Sequence, residues 1–354
     1  MMRSEQQHAF PRSWYPLCRS TDLKRGQIIA RHAFGHKLAV FRTQQNQLGA
    51  VDSRCCHIGA DLSRGFIDDD FLVCPLHNWA YDVQGQCQRI PCSRSKEEIP
   101  VRAKQPALYC KEHYGVVYGF LGDSPDFPLP YFPDTENYIA SNVRIIEFDA
   151  PYEMAGANSF DEQHLAAVHR RQVIGEQQIT SLSPNHFAIE YRANVSPHTL
   201  YDKFLHLIGK SRVHMSLDCW GGNLLLFKHI GTANQMIISL LPVNATQSRA
   251  FITTVLAKRS NRLLLPFQWS AVRLLNIFTM LFVKQDVKAL QDIDFAFTTM
   301  LPEADNTMIK WYQYWKRLPR NSLTGSNSPT VKSVKSAVNE SNPTSMKPEN
   351  IAQI

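Results

Sequence analysis

The sequence predicts an α+β fold in which a small all-β domain precedes a larger mixed domain. Three observations support this prediction. Short apolar segments separated by turn residues fill the first third of the chain, a proline-dense stretch follows them, and helical and alternating segments share the remainder. With 354 residues, of which 44% are hydrophobic, the chain is long enough for two medium-sized domains.

The first part of the chain divides into three segments. Residues 1–13 are expected to form a short N-terminal segment, and they lack the apolar run of a secretory signal. Residues 14–122 contain the predicted strands, which include QIIARHA, KLAVFR and GVVYGFL. Residues 123–134 are predicted to be a linker, because their prolines fix φ and interrupt both helices and sheet ladders.

The second domain is predicted to span residues 135–318. A helix is expected near 158–168, and the alternating segments HFAIEYRANV, NQMIISLL and RAFITTVLA then indicate an antiparallel meander. Helical sequence follows from about 263 to 296, and an aromatic helix closes the domain. Residues 319–354 are rich in Ser, Asn, Pro and Lys without periodicity, so they are predicted to be a disordered tail.

Charge and hydropathy exclude some function classes. The net charge is +7, but no basic run carries interleaved aromatic residues, so nucleic-acid binding is not expected. The apolar stretch 263–283 contains Gln268, Arg273 and Asn276, which are costly in lipid. We therefore expect a buried or amphipathic helix there and no membrane contact.

The most informative pattern is Cys55-x-His57, followed after sixteen residues by Cys74-x-x-His77. A Rieske [2Fe–2S] cluster needs two Cys on one iron and two His on the other, and here each loop supplies one ligand of each type. Tetrahedral zinc is the alternative, although common zinc frameworks keep the Cys together and the His together. Iron binding requires thiolates, which suits a reducing cytoplasm.

A second pattern, Asp161-x-x-His164-x4-His169, lies about a hundred residues downstream. Two His and one carboxylate form the facial triad of non-heme Fe(II) oxygenases. On a regular helix the two His would lie about 140° apart, so both can face one ion only if the helix breaks between them. A third ligand must come from far along the chain, and Asp286, Asp292 and Asp294 are the candidates.

The loops CCHIGADLSRG, LVCPLHNWAYD and GQCQRIP, within residues 54–91, resemble those of the Rieske non-heme iron oxygenases. The sequence departs from this family at Cys56, Ile58 and Asn78, none of which is a ligand. The resemblance covers about residues 14–316 and is strongest in texture to aminopyrrolnitrin oxygenase-like members, through the HNW, FDEQH and QDVKAL segments. It implies a helix-grip catalytic domain, in which an antiparallel sheet wraps around a long helix.

The same resemblance implies roles for individual residues. Cys55, His57, Cys74 and His77 would bind the cluster. His164, His169 and Asp286 would bind a mononuclear Fe(II). Asp161 would bridge, through hydrogen bonds, between a His of the iron site and a His of the cluster.

The function implied by the resemblance is that of a terminal oxygenase. O2 and a small aromatic or alicyclic substrate would react by hydroxylation, dealkylation or N-oxygenation, and the chain would assemble as a homotrimer. No G-x-G-x-x-G motif follows a strand, so a separate NAD(P)H-dependent reductase or ferredoxin is expected. Candidate pocket residues are Phe204, Leu226, Phe227 and Met236. The alternatives are a Rieske electron carrier without its own substrate and a zinc-stapled structural protein.

Overall fold

The structure is a computed structural model that describes residues 9–132, 138–198, 200–207, 211–230, 234–258, 265–291, 293 and 299–323. Several sequence predictions fall outside this range. They are the candidate ligands Asp292 and Asp294, the start of the N-terminal segment, the end of the linker, residues 263–264, 292 and 294–296 of the predicted long helix, and most of the tail.

Two antiparallel sheets form the first part of the chain. The six-stranded sheet contains β2 (Trp14–Arg19), β3 (Gln27–Ala33), β4 (His36–Arg42), β5 (Leu48–Asp52), β10 (Ala107–His113) and β11 (Val116–Phe120). Its strands pair in the order β2-β11-β10-β5-β4-β3. The four-stranded sheet contains β6 (Phe66–Asp68), β7 (Phe71–Val73), β8 (Ala80–Tyr81) and β9 (Cys87–Arg89), paired in sequence order. The first Cys/His loop leads from β5 to β6 and the second leads from β7 to β8, so both adjoin the small sheet.

A separate small core supports these loops. Phe41, Val51, Leu62, Leu72 and Tyr81 are buried in it together with Cys55 and Cys74. Since the two cysteines belong to the core, their side chains are held by packing as well as by the loop backbone.

An eight-stranded antiparallel sheet forms the second part. Its strands are β12 (Tyr138–Ala140), β13 (Arg144–Phe148), β14 (Arg171–Thr180), β15 (His186–Val195), β16 (Arg212–Trp220), β17 (Leu224–His229), β18 (Asn234–Pro242) and β19 (Ser248–Ala257). They pair in the order β12-β19-β18-β17-β16-β15-β14, and β13 also pairs with β19. The helices are α1 (Tyr152–Asn158), α2 (Glu162–Ala167), α3 (Leu200–Leu207), α4 (Leu265–Leu290) and α5 (Pro302–Arg317).

The large sheet has two covered faces. On one face, the Tyr118 hydroxyl lies 2.9 Å from the Ser239 hydroxyl, and Ser13 donates to Asn223 at 2.6 Å, which joins the six-stranded sheet to the large one. On the other face lie α1, α2 and the long helix α4. The predicted α+β architecture, an all-β part followed by an antiparallel sheet with a long C-terminal helix, is confirmed.

The structure differs from the sequence prediction in three elements. The helix expected at 158–168 is shorter, because α1 ends at Asn158 and α2 spans only Glu162–Ala167. The helix expected at 263–296 corresponds to α4, which ends at Leu290. The predicted disorder from 319 does not hold at its start. Arg320–Asn321 (β20) pairs with Phe10–Pro11 (β1), and the Arg320 guanidinium lies 4.2 Å from the Trp315 ring centre. Within the described residues, none of the helices meets the length and apolarity needed to cross a membrane.

Candidate metal centres

The two Cys/His loops share one backbone pattern. The Cys55 N–H donates to the Ala60 carbonyl at 2.8 Å, and the Gly59 N–H donates back to the Cys55 carbonyl at 2.8 Å. In the second loop, the Cys74 N–H donates to the Trp79 carbonyl at 2.8 Å, and the Asn78 N–H donates to the Cys74 carbonyl at 3.1 Å. The loops are therefore two copies of one turn, each presenting a Cys at its start.

Each turn needs a residue in the left-handed conformation at the same position. Gly59 has φ +88° and Asn78 has φ +55°. Glycine reaches this region without a Cβ clash, and asparagine tolerates it better than most other residues. This explains why asparagine can stand at 78, where the family usually has glycine.

The ligand side chains of the two loops meet in like pairs. Cys55 and Cys74 are both buried, and Cys74 is close enough to contribute to the raised pKa of the Cys55 thiol. His57 and His77 are exposed, and their Nδ1 atoms lie 3.2 Å apart. The His57 ring also stacks on Trp79, with ring centres 4.4 Å apart. Two sulfurs at the inner end and two imidazole nitrogens at the outer end fit the donor set of a Rieske cluster.

Tyr81 is the polar neighbour of the sulfur pair. Its hydroxyl lies 3.0 Å from the Cys55 sulfur and 3.4 Å from the Cys56 sulfur. Burial raises the pKa of the Cys55 thiol to about 11, and the contact with Tyr81 opposes that rise. A hydroxyl at this position can donate to a thiolate, so the structure supplies a stabilising partner for the charged form.

The second centre brings together His164, His169 and Asp286. The Nε2 atoms of His164 and His169 lie 2.6 and 2.7 Å from Asp286 Oδ1, and 3.2 Å from each other. All three ligand atoms fall within 4.8 Å of one another, the one such group among the described residues. Two neutral imidazoles and one carboxylate are the donor set of a facial-triad iron site.

The local fold explains how two His five residues apart reach one point. His164 lies within α2, which ends at Ala167, and His169 follows the helix. Arg170 then adopts φ +54°, and β14 begins at Arg171. The break that the spacing requires is present, so His169 turns back towards His164.

The long helix α4 supplies Asp286 and two of the contacts that hold His169. Gln285 Oε1 lies 3.2 Å from His169 Nδ1, and the Phe282 ring stacks on the His169 ring at 3.6 Å between centres. Burial alone would raise the pKa of Asp286, but hydrogen bonds from the two imidazoles outweigh it and lower that pKa. Asn158, at the end of α1, places its amide nitrogen 3.2 Å from His164 Nε2.

Asp161 has a structural task in this chain. It is the N-cap of α2, and its Oδ1 accepts from the His164 backbone N–H at 3.0 Å. Among the described hydrogen bonds, its carboxylate reaches the His164 main chain and not the imidazole. The predicted bridge to a His of the cluster is therefore not formed within one chain in the described residues.

A cavity of about 170 Å³ opens next to the His164–His169–Asp286 cluster. Phe227 and Met236, two of the predicted pocket residues, line it. Leu226 points to the opposite face of the sheet, where it is buried in the main core, and the Phe204 side chain lies outside the described part. Ile189, Met215, Phe278 and Phe282 give the cavity a mainly apolar wall.

Sequence reasoning missed three residues at this site: Gln285, Phe282 in its contact with His169, and Arg171. Gln285 precedes Asp286 directly, and Arg171 follows His169 by two residues. Proximity to predicted ligands was the available signal, but it does not reveal which neighbours point inward.

Comparison with known proteins identifies the first part of the chain. Residues 13–107 match the family model of the Rieske [2Fe-2S] domain, which favours the iron–sulfur interpretation over zinc. The chain is 34% identical over 167 residues to aminopyrrolnitrin oxygenase of Pseudomonas fluorescens, a match covering 44% of this chain and 45% of that protein. It is 32% identical over 167 residues to methylxanthine N1-demethylase of Pseudomonas putida, covering 44% and 46%. These matches span less than half of either relative.

The fold as a whole is similar to that of a solved oxygenase. The crystal structure of dicamba monooxygenase bound to dicamba superposes with a TM-score of 0.66 at 17% identity, covering 88% of this chain and 98% of the other. Since it covers 88% of the chain, this similarity extends beyond residues 13–107, which the family model matches. The family-model match shows a Rieske [2Fe–2S] domain, and the sequence relatives and the shared fold support a Rieske non-heme iron oxygenase.

Proposed function

We propose that the chain is the terminal oxygenase component of a multicomponent system that oxidises a small organic substrate with O2. The observation that carries this proposal is the convergence of His164, His169 and Asp286 at the wall of a cavity. A carrier of electrons needs neither a second metal site nor a cavity beside it, so this arrangement favours an oxygenase over the alternative of a Rieske carrier.

In this proposal Cys55, His57, Cys74 and His77 hold a [2Fe–2S] cluster, and His164, His169 and Asp286 hold a mononuclear Fe(II). When bound, the two groups supply one-electron transfer and O2 activation. The donor sets fit, because like ligands are paired at the first centre and two imidazoles face one carboxylate at the second.

The residues around the second centre prepare His169 as a ligand. With Gln285 accepting from Nδ1–H, the tautomer leaves the Nε2 lone pair directed at the position shared with His164 and Asp286. Phe282 packs flat against the same ring and limits its rotation. Gln285 and Phe282 therefore orient the His169 imidazole before any metal binds.

The substrate proposed is a small aromatic or alicyclic compound, which would be hydroxylated, dealkylated or N-oxygenated. The mainly apolar cavity wall supports an apolar ring scaffold. Relatives with different substrates in their names match the chain at comparable identity: a methylxanthine N1-demethylase at 32% over 167 residues and a 3-ketosteroid-9-alpha-monooxygenase of Rhodococcus rhodochrous at 38% over 109 residues. A separate NAD(P)H-dependent reductase or ferredoxin would donate the electrons.

The exposed imidazoles support a proposal for assembly. His57 and His77 lie at the surface beside the exposed side chains of Ile58 and Leu76, so another molecule can approach them closely. Asp161 lines the cavity next to His164. We propose that the chain forms a homotrimer in which Asp161 of one subunit bridges to a cluster His of the next.

Iron analysis tests the proposed function directly. The purified protein is expected to contain three irons per chain, two in the cluster and one mononuclear. Asp286→Ala and His164→Ala should each lose one iron and keep the Rieske spectrum, since other residues hold the cluster. Lys288→Ala, on an exposed position of the same helix, should keep all three irons.

Two results would contradict the proposal. A wild-type content of two irons per chain would indicate the electron carrier instead. Retention of three irons in Asp286→Ala would show that another carboxylate is the third ligand.

A further inference from the structure

The cavity wall contains one strong hydrogen-bond donor that the metal sites do not use. Arg171 lines the cavity and its side chain is 13% exposed, so a bound molecule can contact the guanidinium. Its Nε is fully buried and has no hydrogen-bond partner among the described residues, so the protein does not use all the donors of this group.

Strand register shows that Arg171 faces the cavity. In β14 and β15, Arg171 is opposite Val195 and Val173 is opposite Ala193, and Tyr191 follows on the same face of β15. Directly opposed residues of antiparallel strands point to the same side of the sheet. Tyr191 and its cross-strand partner Met215 both line the cavity, so Arg171 projects from the same wall.

Two contacts hold the guanidinium in place. Its Cζ lies 5.0 Å from the centre of the Phe282 ring, on which the His169 ring also stacks at 3.6 Å between centres. One terminal nitrogen lies 3.5 Å from a carboxylate oxygen of Asp202, which is itself buried. The position of Arg171 is thus tied to the iron site through a single aromatic ring, and its charge is already balanced.

We propose that Arg171 is the substrate-anchoring residue, donating from its guanidinium to an uncharged acceptor, a carbonyl oxygen or an aromatic ring nitrogen, on an apolar ring compound. This proposal rests on the proposed function, because it assigns the substrate class of the same cavity. An uncharged acceptor fits better than a carboxylate, since Asp202 balances the arginine and Asp161, Glu162 and Asp286 also line the cavity. The anchored end would lie beyond Phe282, which leaves the rest of the ring beside His164 and His169.

Calorimetric titration of the iron-loaded protein with three matched probes tests the assignment. The probes are 1-indanone, which carries a carbonyl, indane, which lacks it, and indane-1-carboxylate, which carries a charge. We expect 1-indanone to bind about tenfold more tightly than indane. The carboxylate should bind no more tightly than the ketone.

Variants separate the donor from the charge. Arg171→Lys keeps a cation facing Asp202 but loses the planar guanidinium, so the preference for the ketone should fall to about twofold or less. Arg192→Lys is the matched control on an exposed position of the neighbouring strand, and the preference should persist in it. Far-ultraviolet circular dichroism and the melting temperature show that each variant is folded, and Arg171→Gln, which removes the charge but keeps a donor, provides a second test should Arg171→Lys be unstable.

Four outcomes would overturn the assignment: equal affinities of the wild type for ketone and hydrocarbon, binding of neither, tightest binding of the carboxylate, or an unchanged preference in a folded Arg171→Lys protein. Iron content is measured on the same samples. A protein with two irons per chain that still prefers the ketone would contradict the oxygenase function and support the anchoring role. A protein with three irons and no preference would do the reverse.

Discussion

Tyr81 joins the small core to the sulfur end of the first centre. Its ring is buried among the residues that support the loops, and its hydroxyl lies 3.0 Å from the Cys55 sulfur. Hydrogen bonds to the sulfurs raise the reduction potential of an iron–sulfur cluster, because they stabilise the more electron-rich reduced state. Tyr81 therefore connects core packing with the electronic properties of the site.

Replacing Tyr81 with Phe should lower the reduction potential of the cluster. Loss of a hydrogen bond worth about 1 kcal/mol corresponds to a drop on the order of 40 mV for a one-electron couple. Protein-film voltammetry measures the potential directly. Tyr118→Phe removes a buried hydroxyl that bonds Ser239 instead, and its potential should stay at the wild-type value. An unchanged potential in Tyr81→Phe would remove Tyr81 from this role.

At the scale of elements, the Asp161 carboxylate at the start of α2 has two candidate roles. Asp161 caps the helix that carries His164, and we propose that it also bridges to a cluster His of a neighbouring subunit. An Ala substitution would disturb both tasks, so it cannot distinguish them. Asn can do so, because it is as good an N-cap as Asp but carries no charge.

We expect Asp161→Asn to keep wild-type stability and lose most substrate oxidation, while Asp161→Ala loses about 1 kcal/mol of stability as well. Chemical denaturation and iron content report on folding, and single-turnover oxidation of the reduced protein reports on transfer between the centres. Full activity in Asp161→Asn would mean that the residue acts only as a cap.

The long helix α4 places two of its polar residues inward. Asn276 is 3% exposed and donates to Ser141 at 3.0 Å and to Thr254 at 3.2 Å, and Arg144 donates to its side-chain oxygen at 3.3 Å. Its neighbour Ile277 is 51% exposed. Of the three polar residues that argued against a membrane span in the sequence, Gln268 and Asn276 are buried and bond to the sheet side of the helix, whereas Arg273 is exposed.

Asn276→Ala should destabilise the protein by about 2 kcal/mol, since it removes three hydrogen bonds made by a buried amide. Ile277→Ala should change the free energy of unfolding by less than about 0.5 kcal/mol, because an exposed side chain has little packing to lose. Urea denaturation of both variants measures the difference. Equal effects would indicate that α4 is covered on its outer side in solution.

At the scale of the whole molecule, the two centres occupy different sheets. The cluster loops lie at the small four-stranded sheet and the second centre lies between the eight-stranded sheet and α4. In a ring with closed heterologous contacts, the cluster of one subunit can serve the iron of the next. The exposed His57 and His77 are compatible with such a contact.

A complementation experiment tests the ring. His77→Ala chains and His164→Ala chains should each be inactive alone, and co-expression should restore part of the activity, because mixed rings contain interfaces that pair an intact cluster with an intact iron site. Two differently tagged His77→Ala chains form the control and should remain inactive. A monomeric wild type in light scattering, or mixed rings without activity, would indicate electron transfer within one chain.

The sequence by itself determined the parts of this protein that depend on short spacing. The Cys55-x-His57 and Cys74-x-x-His77 loops, the break between His164 and His169, and the long helix without a membrane span all follow from residue type and interval. Only the tertiary structure brought Asp286 to the two histidines, turned Asp161 to the helix backbone, and placed Arg171 over Phe282 in the cavity. These arrangements depend on contacts between segments far apart in the chain, or on which of several directions a side chain points. They are decided by how α4 packs on the sheet and by strand register, which local spacing does not specify.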